Sequence, residues 1–283
     1  MRAIVLGATG MVGHTVAVYL SEQDCDVSAF SRSLFPYGRH IAGDVTDRGF
    51  LEKTILDGGY DVVINCVGLL NKAAEEAKPA AVYLNSYLPH HIADVIKGTD
   101  TKLIHISTDC VFSGKTGQYH EGSPRDGETF YARSKALGEV DDHKNLTFRT
   151  SIIGPDIHAD GVGLFNWFMK QDSVVEGYTQ ALWTGVTSLT LAKAILPAIE
   201  RDISGIYHLV NGGPISKYDL LGLFNHYFKN DKIVIVPSDK VAADKSLVNN
   251  RRDFSFSVPD YGQMIAEMKL WIERHRELYP HYM

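Results

Sequence analysis

The sequence predicts an α/β fold, a Rossmann-type doubly wound parallel sheet followed by a smaller C-terminal α/β region. Three observations carry this reading. Apolar, β-branched runs alternate with stretches of helical spacing through the first 155 residues, the order that builds βαβ units. One of those runs, Asp61-Val62-Val63-Ile64-Asn65-Cys66, is strongly β-branched and continuous rather than alternating, as suits a parallel strand buried on both faces. The first run passes directly into Gly7-Ala8-Thr9-Gly10-Met11-Val12-Gly13, a glycine-rich turn that opens a helix.

In chain order, Arg2 to Leu6 reads as a short buried strand, and His14 to Ser21 keeps helical spacing with Val16, Val18 and Leu20. Strand, glycine turn and helix N-terminus together form an anion cradle, where free N–H groups and the helix dipole favour a pyrophosphate. The spacing is G-x-x-G-x-x-G rather than the usual G-x-G-x-x-G, so the turn could also be a tight βα connection. The second strand, Asp26 to Phe30, ends in Ser31-Arg32-Ser33 without a carboxylate. An acid at that place reads a ribose 2′-hydroxyl and an Arg accommodates a 2′-phosphate, which favours NADPH, with NADH as the alternative. Gly43-Asp44-Val45-Thr46-Asp47 follows a short extended piece, and Asp47 is placed to cap the helix carrying Phe50, Leu51 and Ile55. The Asp61–Cys66 strand ends in Val67-Gly68, a further point where backbone can approach a ligand. Residues 73–96 read as helical with interruptions near Lys78-Pro79 and Pro89, and include Asn85. Lys102 to Ser107 is the next strand, which puts Thr108 and Asp109 at its carboxyl end, where open parallel sheets bind ligands.

Composition narrows the class. The 283 residues are 45% hydrophobic and 22% charged, with a formal net charge of −6. That balance is globular and argues against nucleic-acid binding, which wants a basic patch. No apolar run approaches the roughly 20 residues of a membrane span, and the N-terminal strand turns glycine-rich too early for a signal peptide. Cys25, Cys66 and Cys110 lack paired spacing, and the 12 histidines show no ligand spacing. A reducing, cytoplasmic setting without a metal is therefore expected.

The chemistry concentrates between Ser107 and Lys135. Phe130 to Val140 reads as a helix, so Tyr131 and Lys135 share a face as i and i+4. A free Tyr titrates near about 10, and a neighbouring ammonium would lower it. Thr108, from a strand end, could hydrogen-bond the same substrate oxygen. These motifs resemble the extended short-chain dehydrogenase/reductase family, on Gly7–Gly13, Asn65-Cys66-Val67-Gly68, Ser107-Thr108-Asp109 and Tyr131-x-x-x-Lys135. Ser107-Thr108-Asp109-Cys110-Val111-Phe112-Ser113-Gly114 and Arg149-Thr150-Ser151 are similar to its sugar-nucleotide reductase branch, which includes the dTDP-4-dehydrorhamnose reductases.

That resemblance implies reduction of the C4 keto group of a nucleotide-linked 4-keto-6-deoxysugar. It makes Tyr131 the acid, Lys135 the residue that binds the nicotinamide ribose and lowers the Tyr131 pKa, and Thr108 the hydroxyl on the keto oxygen. Asp109 and Cys110 would border the sugar, and Asn85 would support Lys135. The implied cofactor contacts are Gly7, Thr9, Gly10, Met11, Val12, Gly13, Ser31, Arg32, Asp44, Val45, Cys66, Val67, Gly68 and Asn85, together with Tyr131 and Lys135. Cys110 and Ile152 depart from the branch, which carries a Tyr and a Trp there. An epimerase or dehydratase on the same fold is the alternative, although a dehydratase would carry Glu at position 110. A non-catalytic NADP-binding regulatory subunit is a third reading. A homodimer is a family expectation.

On this basis residues 1–155 form the NADP-binding domain and 156–283 mainly the substrate-binding region, with about 186–210 returning to the first. In the second half, Leu164 to Lys170 and Ser188 to Arg201 read as helices, and Gly205 to Leu209 as a strand. Trp183 is either a sugar contact or a packed loop residue, and Arg251 either a diphosphate clamp or a surface ion pair. Ser216 and Asp219 suggest a capping box, and a stripe from Tyr261 to Ile272 marks a last amphipathic helix.

Overall fold

The computed structural model describes residues 1–283. A seven-stranded, fully parallel sheet forms its centre. Strand β1 (Arg2–Leu6) leads into helix α1 (Met11–Glu22), then β2 (Asp26–Ser31), β3 (Arg39–Ala42), α2 (Arg48–Asp57) and β4 (Val62–Asn65). The next stretch breaks into α3 (Asn71–Glu76), α4 (Lys78–Ala81), a widened π-type turn (Val82–Tyr87) and α5 (Leu88–Val95). Then come β5 (Lys102–Thr108), α6 (Phe130–Leu137) and β6 (Leu146–Thr150). The second half adds β7 (Ile152–Ile153), α7 (Leu164–Met169), β8 (Val174–Trp183), β9 (Val186–Thr187), α8 (Ser188–Glu200), β10 (Gly205–His208), β11 (Ile215–Ser216), α9 (Lys217–Lys229), β12 (Val234–Asp244) and α10 (Tyr261–Arg274).

The sheet order is β3-β2-β1-β4-β5-β6-β10, so the chain reverses direction across the sheet between β1 and β4. Ligands of such sheets lie outside the carboxyl ends of the strands at that reversal. β1 shows why its run is uniformly apolar: Ala3 and Val5 pack into the larger core, Ile4 and Leu6 into the smaller core on the opposite face. The larger core continues through Phe165, Phe168, Leu220 and Phe224 into α10. The C-terminal region therefore shares one core with the sheet.

Two long strands, and three two-residue ones, lie where the sequence suggested none. β8 and β12 pair in parallel and, with antiparallel β11, form a second, three-stranded sheet. β12 is half to fully exposed along most of its length, so it lacks the apolar alternation that reveals a strand. Helix α6 ends at Leu137, two turns long, because the following backbone bends so that Val140 pairs with the Thr147 side chain. No helix is long and apolar enough to cross a membrane.

Candidate active site

A cavity of about 730 Å³ opens at the carboxyl ends of β1, β4, β5 and β6. Its walls bring together Gly10, Met11 and Val12 from the glycine turn, Cys66, Val67 and Gly68 beyond β4, and Thr108, Tyr131 and Lys135. The two halves of the sequence argument thus meet in one space.

The cradle side is built for an anion. Gly7 has φ of 78°, a left-handed conformation that suits glycine. A Cβ on Gly13 would stand 2.1 Å from the Gly7 carbonyl oxygen, so only glycine lets α1 approach β1 this closely. No side chain caps the N-terminus of α1 and its first turn holds no acid, which leaves N–H groups for a pyrophosphate. Thr9 lies half-buried in the same turn. At the far end, exposed Arg32 follows β2 with its positive charge near Asp44. The Asp44 carboxylate is committed to the N–H and hydroxyl of Thr46, bonds that hold its pKa below the ordinary range. The buried Ser31 hydroxyl donates to the Ser33 carbonyl, and Val45 is packed into the smaller core. Of these four, Arg32 is the one whose side chain is free to meet a phosphate. These features fit an NADP-type dinucleotide.

The reacting side rests on α6. Thr129 caps it by accepting the Ala132 N–H at 3.0 Å, and Glu75 accepts the N–H groups of Phe130 and Tyr131. Past its end, Glu139 is fully buried against Arg149 of β6, with Arg149 Nη2 2.6 Å from Oε2 and Nε 2.8 Å from Oε1. The Ser107 hydroxyl donates to Glu139 Oε1 at 2.6 Å, so that hydroxyl is committed to the ion pair although Ser107 also borders the cavity. Asn85 makes no hydrogen bond to Lys135. Its amide holds the Leu69 backbone on both sides and donates to Ser134 Oγ, strapping the loop beyond β4 to α6. The widened turn around Asn85 aims this side chain inward.

Tyr131 is 7% exposed. Burial pushes its phenol well above the ordinary value, the Cys110 and Asp109 groups add to that, and the Thr108 hydroxyl opposes it. The sequence-based expectation that Lys135 lowers it is not met in this state. Lys135 Nζ instead donates to the Ile106 carbonyl at 2.7 Å and lies 3.2 Å from His105 Nε2. A buried amine must satisfy its protons on whatever acceptors the protein offers, and here strand β5 offers them. Burial lowers the Lys135 pKa to about 8, against the pull of Glu139 and Cys66.

Beside the reacting group, Asp109 accepts from the Thr108 hydroxyl at 3.2 Å. The Cys110 thiol lines the cavity, pushed up to about 11 by burial. Ile152 also lines it, where a smaller face replaces an aromatic one. Trp183 and Arg251 are not brought to this cavity. Trp183 is 2% exposed, packed near Tyr261 and beneath Lys217. Arg251 is paired with Asp253, donates to the Ser204 and Ile206 carbonyls, and lies over Tyr207. Those bonds pin it at the base of β10, away from the carboxyl ends of the strands.

Sequence reasoning missed two stretches of the cavity wall. Val162 and Gly163, ahead of α7, and Leu70 to Ala73, opening α3, line the cavity. Lys217 starts α9 with its ammonium 5.1 Å from the Trp183 ring centre, in the fields of Asp109, Cys110 and Lys245 and with no carboxylate bonded to it. The packing of α9 against β8 brings it near Asp109 and Cys110 without making it part of the cavity wall.

Comparisons with known proteins agree with this geometry. Residues 1–247 match the family model described as RmlD substrate binding domain. The chain is 28% identical to a dTDP-4-dehydrorhamnose reductase of Streptomyces griseus over 227 residues, 75% of this chain and 71% of that protein. It is also 28% identical to a probable low-salt glycan biosynthesis reductase of Haloferax volcanii, over 89% of this chain and 88% of the other. Among solved structures, a hypothetical dTDP-4-dehydrorhamnose reductase from Sulfolobus tokodaii superposes with a TM-score of 0.77 at 26% identity, covering 92% of this chain and 98% of that one. The dTDP-4-dehydrorhamnose reductase of Bacillus anthracis, solved in complex with NADP, gives a TM-score of 0.80 at 22% identity, covering 95% and 99%.

Proposed function

Because the chain belongs to the RmlD substrate-binding-domain family, we propose that it reduces the C4 keto group of a nucleotide-linked 4-keto-6-deoxysugar with NADPH, as a step of deoxysugar biosynthesis. The observation that carries this reading is the convergence of Thr108, Tyr131 and Lys135 on the cavity whose opposite wall is the α1 cradle. Bound nicotinamide supplies the hydride that arrives at the sugar carbon. The protein supplies the rest. Tyr131, held as a phenol by its burial, carries the proton that the carbonyl oxygen needs as negative charge develops on it. Thr108 is placed to orient that oxygen, and Lys217 offers an unpaired cation to the charged part of the substrate. Gly10, Met11 and Val12 hold the dinucleotide, and Arg32 takes the 2′-phosphate.

Position 110 disfavours dehydration, which needs a further acid–base group beside the sugar, because a thiol pushed up to about 11 by burial stays protonated at neutral pH. Epimerisation with retained NAD is disfavoured by Ser31 and Arg32, which leave no acid at the end of β2. The three cysteines are all free, and we place the protein in a reducing cytoplasm.

The test mixes the purified protein with NADPH and either dTDP-4-dehydrorhamnose or a UDP-linked 4-keto-6-deoxy-N-acetylhexosamine, following nicotinamide absorbance. Consumption with one of them identifies the substrate. Tight NADPH binding without turnover of either would favour the regulatory reading. In the same assay Arg32→Ala should weaken NADPH far more than NADH, and equal weakening would remove Arg32 from the 2′-phosphate site.

A further inference from the structure

We propose that Asn65 and His105 form a directional hydrogen-bond relay that favours the uncharged form of the Lys135 amine in the free protein, making His105 a positioning residue for the catalytic lysine. Its consequence for catalysis rests on the reductase reading above; its structure rests on hydrogen-bond direction alone.

The three residues come from β4, β5 and α6, and Asn65 and His105 are wholly buried, with Lys135 4% exposed. The chain of constraints starts at the backbone. The Val67 N–H donates to Asn65 Oδ1 at 3.1 Å, which decides which end of the amide is oxygen. Asn65 Nδ2 then lies 3.2 Å from His105 Nδ1. An amide nitrogen only donates, so Nδ1 must present its lone pair and the neutral ring carries its proton on Nε2. That N–H faces Lys135 Nζ at 3.2 Å, while Nζ itself donates to the Ile106 carbonyl at 2.7 Å.

An ammonium has three donors and no acceptor. Were Lys135 charged, Nε2–H and Nζ–H would meet donor to donor in a buried site. A neutral amine removes the conflict, since its lone pair accepts from Nε2–H and one N–H still reaches Ile106. The surrounding groups agree. Burial, Lys135 and His90 of α5 all oppose a charge on His105. For Lys135, burial opposes the charge, and Glu139 just past the end of its helix and Cys66 beyond β4 favour it without bonding to Nζ. The relay thus keeps Lys135 poised: a set of acceptors that draws Nζ away from His105 lets it take a proton from solvent, and an ammonium beside Tyr131 then stabilises the phenolate left after proton donation.

The ligand-free protein provides the test. Nitrogen-15 NMR of the histidine rings should find His105 neutral with its proton on Nε2, and a proton on Nδ1 in the parent protein would overturn the relay. The isosteric Asn65→Asp variant keeps an acceptor for Val67 but also accepts from Nδ1–H, so it should switch the His105 tautomer. Carbon-13 titration of Lys135 Cε should then show its midpoint rising by about one pH unit or more, a tenfold change in proton affinity. A tautomer switch with an unmoved Lys135 midpoint would also overturn the proposal. Should the variant not fold, the parent tautomer alone decides. Neither measurement needs cofactor or sugar, so failure of sugar-nucleotide reduction leaves the relay standing, and failure of the relay leaves the reductase reading standing.

Discussion

Tyr131 shows how one side chain acquires a role from its surroundings. Its burial and the nearby Asp109 and Cys110 groups keep the phenol protonated, which is the form a reductase needs before proton transfer. Tyr131→Phe removes only the hydroxyl, and the ring still packs against Ala74 and Ala81. That variant should fold with parental stability and bind NADPH nearly as well. Its kcat should fall by on the order of 10²-fold or more, the scale of general acid catalysis. Parental turnover in steady-state assays would show that another group supplies the proton.

At the scale of the element, α6 is too short to be stable by itself, since isolated helices below about 12 residues are marginal. Its eight residues are held by what surrounds them: Thr129 and Glu75 at the start, the Asn85 and Ser86 bonds to Ser134 in the middle, and the buried Glu139–Arg149 pair past the end. Arg149 also stacks over Phe112 and reaches His208 Nε2 at 2.8 Å. Removing one partner of such a pair leaves an uncompensated buried charge, at a cost of about 3–5 kcal/mol. Glu139→Ala should lose that much in denaturant unfolding, and kcat should drop as the register of Tyr131 against Thr108 loosens. A loss below about 1 kcal/mol, the value of a surface pair, would mean that the pair does not fasten the helix.

For the whole molecule, the C-terminal segment closes onto the helix that begins the cradle. His14 of α1 donates from Nδ1 to the Gly10 carbonyl at 2.8 Å, and its Nε2 accepts from the Tyr279 hydroxyl at 2.7 Å. Tyr279 in turn accepts from Trp271 Nε1 of α10. Burial lowers the His14 pKa from 6.5 to about 4. The unfolded chain therefore binds a proton below about pH 6.5 that the folded protein refuses until about pH 4. With more protons bound in the unfolded state, stability falls on acidification through that window, by about 3 kcal/mol from this residue. The melting temperature should decline between those pH values, and His14→Gln should flatten the decline. Parallel slopes for parent and variant would assign the acid sensitivity to other groups, such as His208, whose pKa burial also lowers.

Local patterns in the sequence determined the parallel sheet, the cradle and the reacting trio. Continuous apolar strands, the glycines at Gly7, Gly10 and Gly13, and the i, i+4 spacing of Tyr131 and Lys135 each encode geometry within a few residues. What lies across the fold was decided only by tertiary packing. Exposed β12 has no apolar alternation to reveal it, Arg251 is captured by Asp253 and two carbonyls, and Lys217 comes near Asp109 and Cys110 through the packing of α9. Lys135 answers to His105, and Asn85 to Leu69 and Ser134. A buried polar group takes whichever partner the surrounding strands bring within about 3 Å, and that choice is written in contacts between distant segments rather than in the spacing of any one of them.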